Sequence, residues 1–290
     1  MGGIVTNNSR QVHGGVTGAG QSGQIFVLME RSRPQLDQSL QNVRQPRLIF
    51  QYARSPADVR AAQQLRWQVF HEEMGAHLHS PEAGLDQDRF DALCDHLILR
   101  DTRTHEVVGT YRILNAQQAA WAGGFYAEEE FDLTRLAHLL PHVMEVGRAC
   151  VHPDYRNGLS IAVLWAGLAD YIQSHRVQYL MGCASMTMID GGHTAASLYR
   201  QLELLHGAPA EWRVFPHCAL PLAALDNTRA VEIPPLIKAY LRVGAYVCGA
   251  PAWDADFNTA DCLLLLPTAA MDQRYSRHFM KASAEGRTSF

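Results

Sequence analysis

The sequence predicts an α/β (α+β) fold, a mixed central sheet flanked by helices with an extended C-terminal half. Three observations carry this. An apolar, β-prone run over 143–151 ends at a proline and a glycine turn, and a helix over 159–174, a strand over 179–184 and a helix over 194–205 follow it. Such a β-α-β-α order requires at least one parallel strand pair with helices packed on the sheet. Two further strand-like runs, 95–100 and 107–114, are joined only by the polar turn Asp101-Thr102-Arg103-Thr104-His105, so they pair with each other. The last third holds two more strands, 245–248 and 261–266, behind a proline-opened helix at 234–241.

Taken in order, residues 1–45 are rich in Gly, Asn, Gln and Ser and read as a flexible tail without the apolar core of a signal peptide. Asn7-Asn8-Ser9 matches a glycosylation sequon, which is discounted without a secretion signal. The folded domain spans 46–280, and 281–290 is a second flexible tail. Leu48-Ile49-Phe50-Gln51-Tyr52 is the first strand. Ser55-Pro56 is an N-cap followed by proline at the first helical position, and Val59, Ala62, Leu65, Val69 and Phe70 line one face of a helix reaching about Glu73. A polar loop covers 75–91. Residues 115–142 show no clear period beyond a short helix near Phe125-Tyr126-Ala127-Glu128-Glu129-Glu130-Phe131.

The bulk numbers exclude several classes. With 290 residues, 47% of them hydrophobic, the chain can bury a proper core. A net charge of −4 argues against a nucleic-acid binder. Six cysteines stand singly without a CxxC pair, which fits reduced thiols in a cytoplasmic protein and neither a disulfide frame nor a zinc site. No apolar run reaches the roughly 20 residues of a membrane span.

Glu145 stands inside the apolar run, three residues before Arg148, where an acid is costly unless it has a task or a partner. It is read as a general base, or as one half of an ion pair with Arg148 or Arg112. The turn after the strand, Asp154-Tyr155-Arg156-Asn157-Gly158, leads into a helix, and a strand-turn-helix of this kind can present N–H groups to a phosphate or an oxyanion.

This arrangement resembles the Gcn5-related N-acyltransferase fold. The usual coenzyme A signature of that fold is degenerate in Arg156-Asn157-Gly158-Leu159-Ser160, which points away from coenzyme A as donor. Arg66-x-x-Val69-Phe70, Asp86-x-Asp88-x-x-Asp91, Val107-Val108-Gly109-x-x-Arg112 and Glu145-x-x-Arg148 are similar to the pattern of acyl-homoserine-lactone synthases, with Gly147 replacing a serine. A wider span, about 49–279, resembles the ornithine N-acyltransferases of ornithine-lipid synthesis. It includes Gly123-Gly124-Phe125-Tyr126, Glu145-Val146-Gly147-Arg148-Ala149-Cys150-Val151-His152-Pro153 and Pro251-Ala252-Trp253-Asp254-Ala255-Asp256-Phe257-Asn258-Thr259-Ala260-Asp261.

The resemblance implies an enzyme that moves a 3-hydroxyacyl chain from acyl carrier protein to the α-amine of L-ornithine, giving lyso-ornithine lipid. Alternatives are N-acylation of another amino acid, synthesis of an acyl-homoserine lactone, and a non-catalytic, hemolysin-like membrane protein. No bound cofactor or metal is implied, since the donor's phosphopantetheine thioester is itself a substrate. Glu145 and Arg148 are then catalytic candidates. Arg66, Asp86, Asp88, Asp91, Arg112, Asp254, Asp256 and Asn258 are substrate-binding candidates. For the acids at 86–91 the competing reading is a scaffold of ion pairs with the arginines, and for 254–258 it is a plain turn. Val151, Arg156, Gly158 and Ser160 would form the loop for the donor's phosphopantetheine arm.

Acyl carrier protein is acidic, so Arg54, Arg60, Arg156, Arg274, Arg277 and Lys281 are candidate contacts, against ordinary surface charge. A lipid product implies a cytoplasmic enzyme with peripheral contact at the inner membrane, through the 234–241 helix and the basic C-terminal residues. Trp67, Phe70 and Trp165 are core residues or walls of an acyl tunnel; His77, His79, His96 and His152 read as hydrogen-bonded or solvated rather than metal-binding.

Overall fold

The computed structural model describes residues 47–271. The tails expected at 1–45 and 281–290 lie outside the described residues, as do Arg274, Arg277 and Lys281. Strand β1 is Leu48–Tyr52, and helix α1, Pro56–Arg66, starts at a reciprocal cap: the Asp58 N–H donates to Ser55 Oγ and the Ser55 N–H to the Asp58 carboxylate. The helix continues as a wider π-helical stretch, Trp67–Glu73, which turns Val69 and Phe70 inward. Strands β2 (Asp95–Asp101) and β3 (Val107–Asn115) form the expected hairpin.

Within the span without a clear period lie helix α2 (Ala116–Ala122) and a short strand β4 (Phe131–Asp132). Asn115 caps α2 by accepting from the Gln117 and Gln118 N–H groups, and Gly123 ends it at φ 81°, in the left-handed region. Strand β5 is Val143–Val151, and helix α3 (Gly158–His175) is capped by Asn157. Strand β6 (Tyr179–Thr187) runs three residues beyond its expected end, and α4 is His193–His206. Strand β7 (Phe215–Pro216) pairs with β4, helix α5 is Pro235–Arg242, and β8 is Tyr246–Val247. Strand β9 (Ala252–Asp254) occupies part of the polar segment where no strand was expected, and β10 is Thr259–Pro267.

The main sheet has eight strands in the order β1-β2-β3-β5-β6-β10-β8, with β9 also on β10. Its neighbours are antiparallel except β5 and β6, the parallel pair that the β-α-β order requires. Alternate residues of β10 serve two cores: Cys262, Leu264 and Leu266 face α3, α4 and α5, whereas Leu263 and Leu265 face the layer built from α2 and its neighbouring loops. Helix α1 packs over β3 and β5, and its Leu65 joins Val69 and Phe70 of the π-helical stretch in a small cluster with Cys150.

Two irregularities distinguish β5 from a regular strand. Its parallel register with β6 runs only from Val143↔Tyr179 to Glu145↔Met181. It also bulges against β3: Arg112 faces Gly147 and Thr110 faces Cys150, so Arg148 and Ala149 together oppose Tyr111. Arg148 takes φ 49°, in the left-handed region.

Gly167 of α3 lies against β2, and a Cβ there would come within 2.6 Å of the Leu97 side chain. Gly167→Ala is therefore expected to overpack this contact and lower stability by about 1–3 kcal/mol, read as a lower midpoint in urea unfolding.

Candidate active site

Beyond Glu145 and Met181 the two parallel strands part, and the opening is a cleft of about 410 Å³. Gly147 and Ala149 of β5 line one wall and Gly182, Cys183 and Ser185 of β6 the other. A Cβ at Gly182 would sit 2.5 Å from the Val146 carbonyl oxygen, so glycine permits close approach at the point of parting. Much of the remaining lining is apolar, including Phe70, Trp165, Leu236 and Tyr240. Helix α5 buries Ile237, Tyr240 and Leu241. Pro234, Leu236, Ile237 and Tyr240 of this segment line the cleft.

Glu145, 4% exposed, lines this cleft at its narrow end. Its Oε2 accepts from the Tyr126 N–H at 2.7 Å and its Oε1 from the Ala127 N–H at 2.8 Å. Burial, the largest influence, pushes its pKa up to about 7; the two N–H groups and the Arg112 charge act the other way. The result is a carboxyl group poised near neutral pH.

Beside it, three arginines meet three aspartates. Arg66 donates Nε to Asp86 at 2.8 Å and a terminal nitrogen to Asp91 at 2.6 Å. Arg112 reaches Asp88 at 2.6 Å and Asp91 at 3.2 Å, and Arg148 lies 3.2 Å from Asp86 and 3.4 Å from Asp88. For Asp91, burial alone would raise the pKa, but the Arg66 and Arg112 charges hold it well below the usual carboxylate range. All three acids of the predicted loop are thus engaged with protein cations. The Arg148 guanidinium also lies over the rings of Tyr126 and Phe257, 5.0 and 4.8 Å from the ring centres. It lines both the main cleft and a second, more polar cavity of about 310 Å³ that contains Asp86, Asp88 and Asp254.

The segment 254–258 is the turn between β9 and β10. Asp254 Oδ1 accepts from the Asp256 and Phe257 N–H groups, and Asn258 takes φ 51°. Asp254 lines the cleft, whereas Asp256 lines the smaller polar cavity beside His79. In the donor loop, Arg156 donates to both oxygens of Glu73 and, through Nε, to the Val151 carbonyl. Asn157 Oδ1 accepts from the Leu159 and Ser160 N–H groups, and the Ser160 hydroxyl donates to the Tyr155 carbonyl. Gly158 is exposed as the first residue of α3. Arg60 pairs with Glu82 at the surface, and Arg54 is exposed. His96 Nε2 lies 3.0 Å from the Asp91 carbonyl oxygen, and His152 Nδ1 accepts from the Asp154 N–H.

Sequence reasoning missed four groups in or beside the site: the Tyr126 and Ala127 N–H donors to Glu145, Asp261, which lines the cleft, and Glu130, which clusters with Asp254 and Asp261. The backbone donors leave no signature in side-chain identity. Asp261 did carry a signal, since it is an acid within an apolar strand, as Glu145 is.

The fold and cleft define a class, confirmed by a match over residues 65–166 to the family model "Acetyltransferase (GNAT) domain". The protein is an acyltransferase of that class. The chain belongs to the L-ornithine N(alpha)-acyltransferase family: it is 40% identical to the protein of that name from Rhodobacter capsulatus, over 81% of this chain and 95% of the relative. The namesake from Brucella abortus is 37% identical, over 80% and 88%. Among solved structures, the AHL synthase LasI aligns with a TM-score of 0.45 and 15% identity, over 78% of this chain and 94% of that one. FeeM, an N-acyl amino acid synthase from uncultured soil microbes, aligns with 0.47 and 13%, over 77% and 92%.

Arg66 is fully buried between Asp86 and Asp91. Arg66→Met should leave charge without its partner and cost about 3–5 kcal/mol. Arg66→Lys should recover only part of this, because an ammonium lacks the planar fork. Urea unfolding of the two variants checks the order.

Proposed function

We propose that this chain moves a 3-hydroxyacyl group from acyl carrier protein to the α-amine of L-ornithine, giving lyso-ornithine lipid. Family membership supports the acceptor, and one observation carries the chemistry: a buried carboxyl, Glu145, with a pKa of about 7, at the point where two strands open into an apolar cleft.

In this reading the apolar cleft takes the thioester end of the donor, and the amino acid approaches through the polar cavity beside Arg148. Glu145 accepts a proton from the α-ammonium, directly or through one water, because only the free amine is nucleophilic. The nitrogen attacks the thioester carbonyl, a C–N bond forms, and negative charge gathers on the carbonyl oxygen. Backbone N–H groups of β5 past the end of its pairing with β6 are the donors for that oxygen. The C–S bond then breaks, and the leaving thiolate takes the second proton that the nitrogen sheds as the amide forms. Arg148, held by aspartates and two aromatic rings, keeps positive charge beside the acceptor's carboxylate.

The start of α3 supports a protein-borne pantetheine over coenzyme A. Coenzyme A brings a pyrophosphate that needs several N–H donors at a helix N-terminus. Here Asn157 already occupies two of them and Arg156 is paired with Glu73.

Ionised Glu145 is the working form, so kcat/KM should fall as pH drops below about 7. Glu145→Gln should lower kcat/KM by roughly 10²–10⁴-fold and flatten that acid limb, measured by product formation with melting curves to verify the fold. A Gln variant that keeps both rate and limb would remove Glu145 from the mechanism. With one acyl group on two carriers, acyl carrier protein should exceed coenzyme A in kcat/KM by about tenfold or more, an advantage that falls with added salt.

A further inference from the structure

Glu130, Asp254 and Asp261 bring one carboxylate oxygen each to within 4.8 Å of one another. They come from separate places: the residue just before β4, the end of β9 and the third residue of β10. We infer that these three carboxylates are the subsite for the acceptor's side-chain ammonium and set the preference for an amino acid with a second amine. The inference rests on the proposed amino acid N-acyltransferase reading.

The cluster differs in kind from the other acidic triad of the molecule. Asp86, Asp88 and Asp91 are met by three arginines. Among the described residues, no Arg, Lys or His forms an ion pair with Glu130, Asp254 or Asp261. Asp261 is only 5% exposed, and its Oδ1 has no hydrogen-bond partner. Both carboxylate oxygens of Glu130 are likewise buried, with the Cys183 thiol as their side-chain neighbour and, among the described residues, no protein cation. Asp254 uses Oδ1 on its own turn. Buried carboxylates in folded proteins are nearly always matched by donors, and here the neighbours of Glu130 and Asp261 are neutral thiol and hydroxyl groups, so the cluster can still accept a cation.

The location says what that is. Asp254 and Asp261 line the cleft that contains Glu145. Asp254 also lines the polar cavity beside Arg148. A ligand reaching the cluster therefore shares a chamber with the proposed base. Burial, followed by the charges of Asp261 and Asp254, pushes the Glu130 pKa up to about 9, and Glu145 adds a smaller effect of the same sign. Alone, the cluster avoids like-charge repulsion by holding a proton; a cation would relieve it more fully. An alkylammonium carries three N–H donors, one for each carboxylate, on an apolar stem that suits the cleft wall. With the α-amine at Glu145 and a second amine at the cluster, an acceptor that carries two amines is the fitting chemistry.

The test compares L-ornithine with L-norvaline, which has the same carbon skeleton without the second amine, using one acyl donor. Wild type should favour ornithine in kcat/KM by at least about 100-fold. In Glu130→Gln and in Asp261→Asn that ratio should shrink about tenfold or more, mainly through KM for ornithine. Without ligand at neutral pH, Glu130→Gln should melt close to wild type, since Glu130 already holds a proton there, while the ornithine-induced rise in melting temperature is lost. The inference is overturned if wild type takes both acceptors equally, or if the variants leave the ratio unchanged or lose both acceptors alike. It is also overturned if purified wild type holds a divalent ion whose chelation abolishes acylation and whose return restores it. A wild type that acylates neither acceptor sinks the transferase reading itself; normal ornithine acylation with an unchanged ratio in the variants sinks only this subsite.

Discussion

Three guanidinium groups and three carboxylates join helix α1, the loop before β2, and strands β3 and β5. The positions of the other cleft residues depend on this junction. Isolated in a protein interior, any one of these charges would cost several kcal/mol. Together they neutralise one another, and each arginine contacts two acids. Arg112 also adds positive charge near Glu145, which restrains how far burial raises that carboxyl. The network both builds the wall and tunes the group beside it.

The chain contains two acidic triads, and they illustrate opposite uses of buried charge. One is closed by protein cations and acts as a brace. The other has no protein cation paired with it among the described residues and is relieved by a proton held on Glu130. Retaining an unneutralised cluster is the kind of local cost that functional sites impose on otherwise consistent structures. The apolar core bears it readily, since the layers on both faces of the sheet bury most of the large side chains.

Much of the architecture was legible in the residues. The strand at 143–151 reads clearly because β-branched and apolar residues run to a proline, and the structure places β5 at those limits. Glu145 stands out because a carboxylate in such a run is unusual. Other elements were hidden for physical reasons. Helix α2 has seven residues rich in Ala and Gln, too short for an amphipathic period, and is defined by its Asn115 and Gly123 caps. The π-helical stretch after α1 looks like ordinary helix over seven residues, since the two periods barely diverge in that length. Strand β9 is three residues long and exists because β10 offers it an edge. The N–H donors to Glu145 come from a segment whose course depends on distant contacts, and no local pattern announces them.

The bulge in β5 has one further effect. Along a regular strand, side chains three positions apart emerge on opposite sides of the sheet. Glu145 and Arg148 are so spaced, yet both line one chamber. The extra residue resets the phase: the chain makes a half-turn between them, absorbed by the left-handed backbone at Arg148. Loss of Ala149 alone would set Arg148 directly opposite Tyr111 and send the guanidinium to the far side, dividing it from the Glu145 carboxyl without touching either side chain.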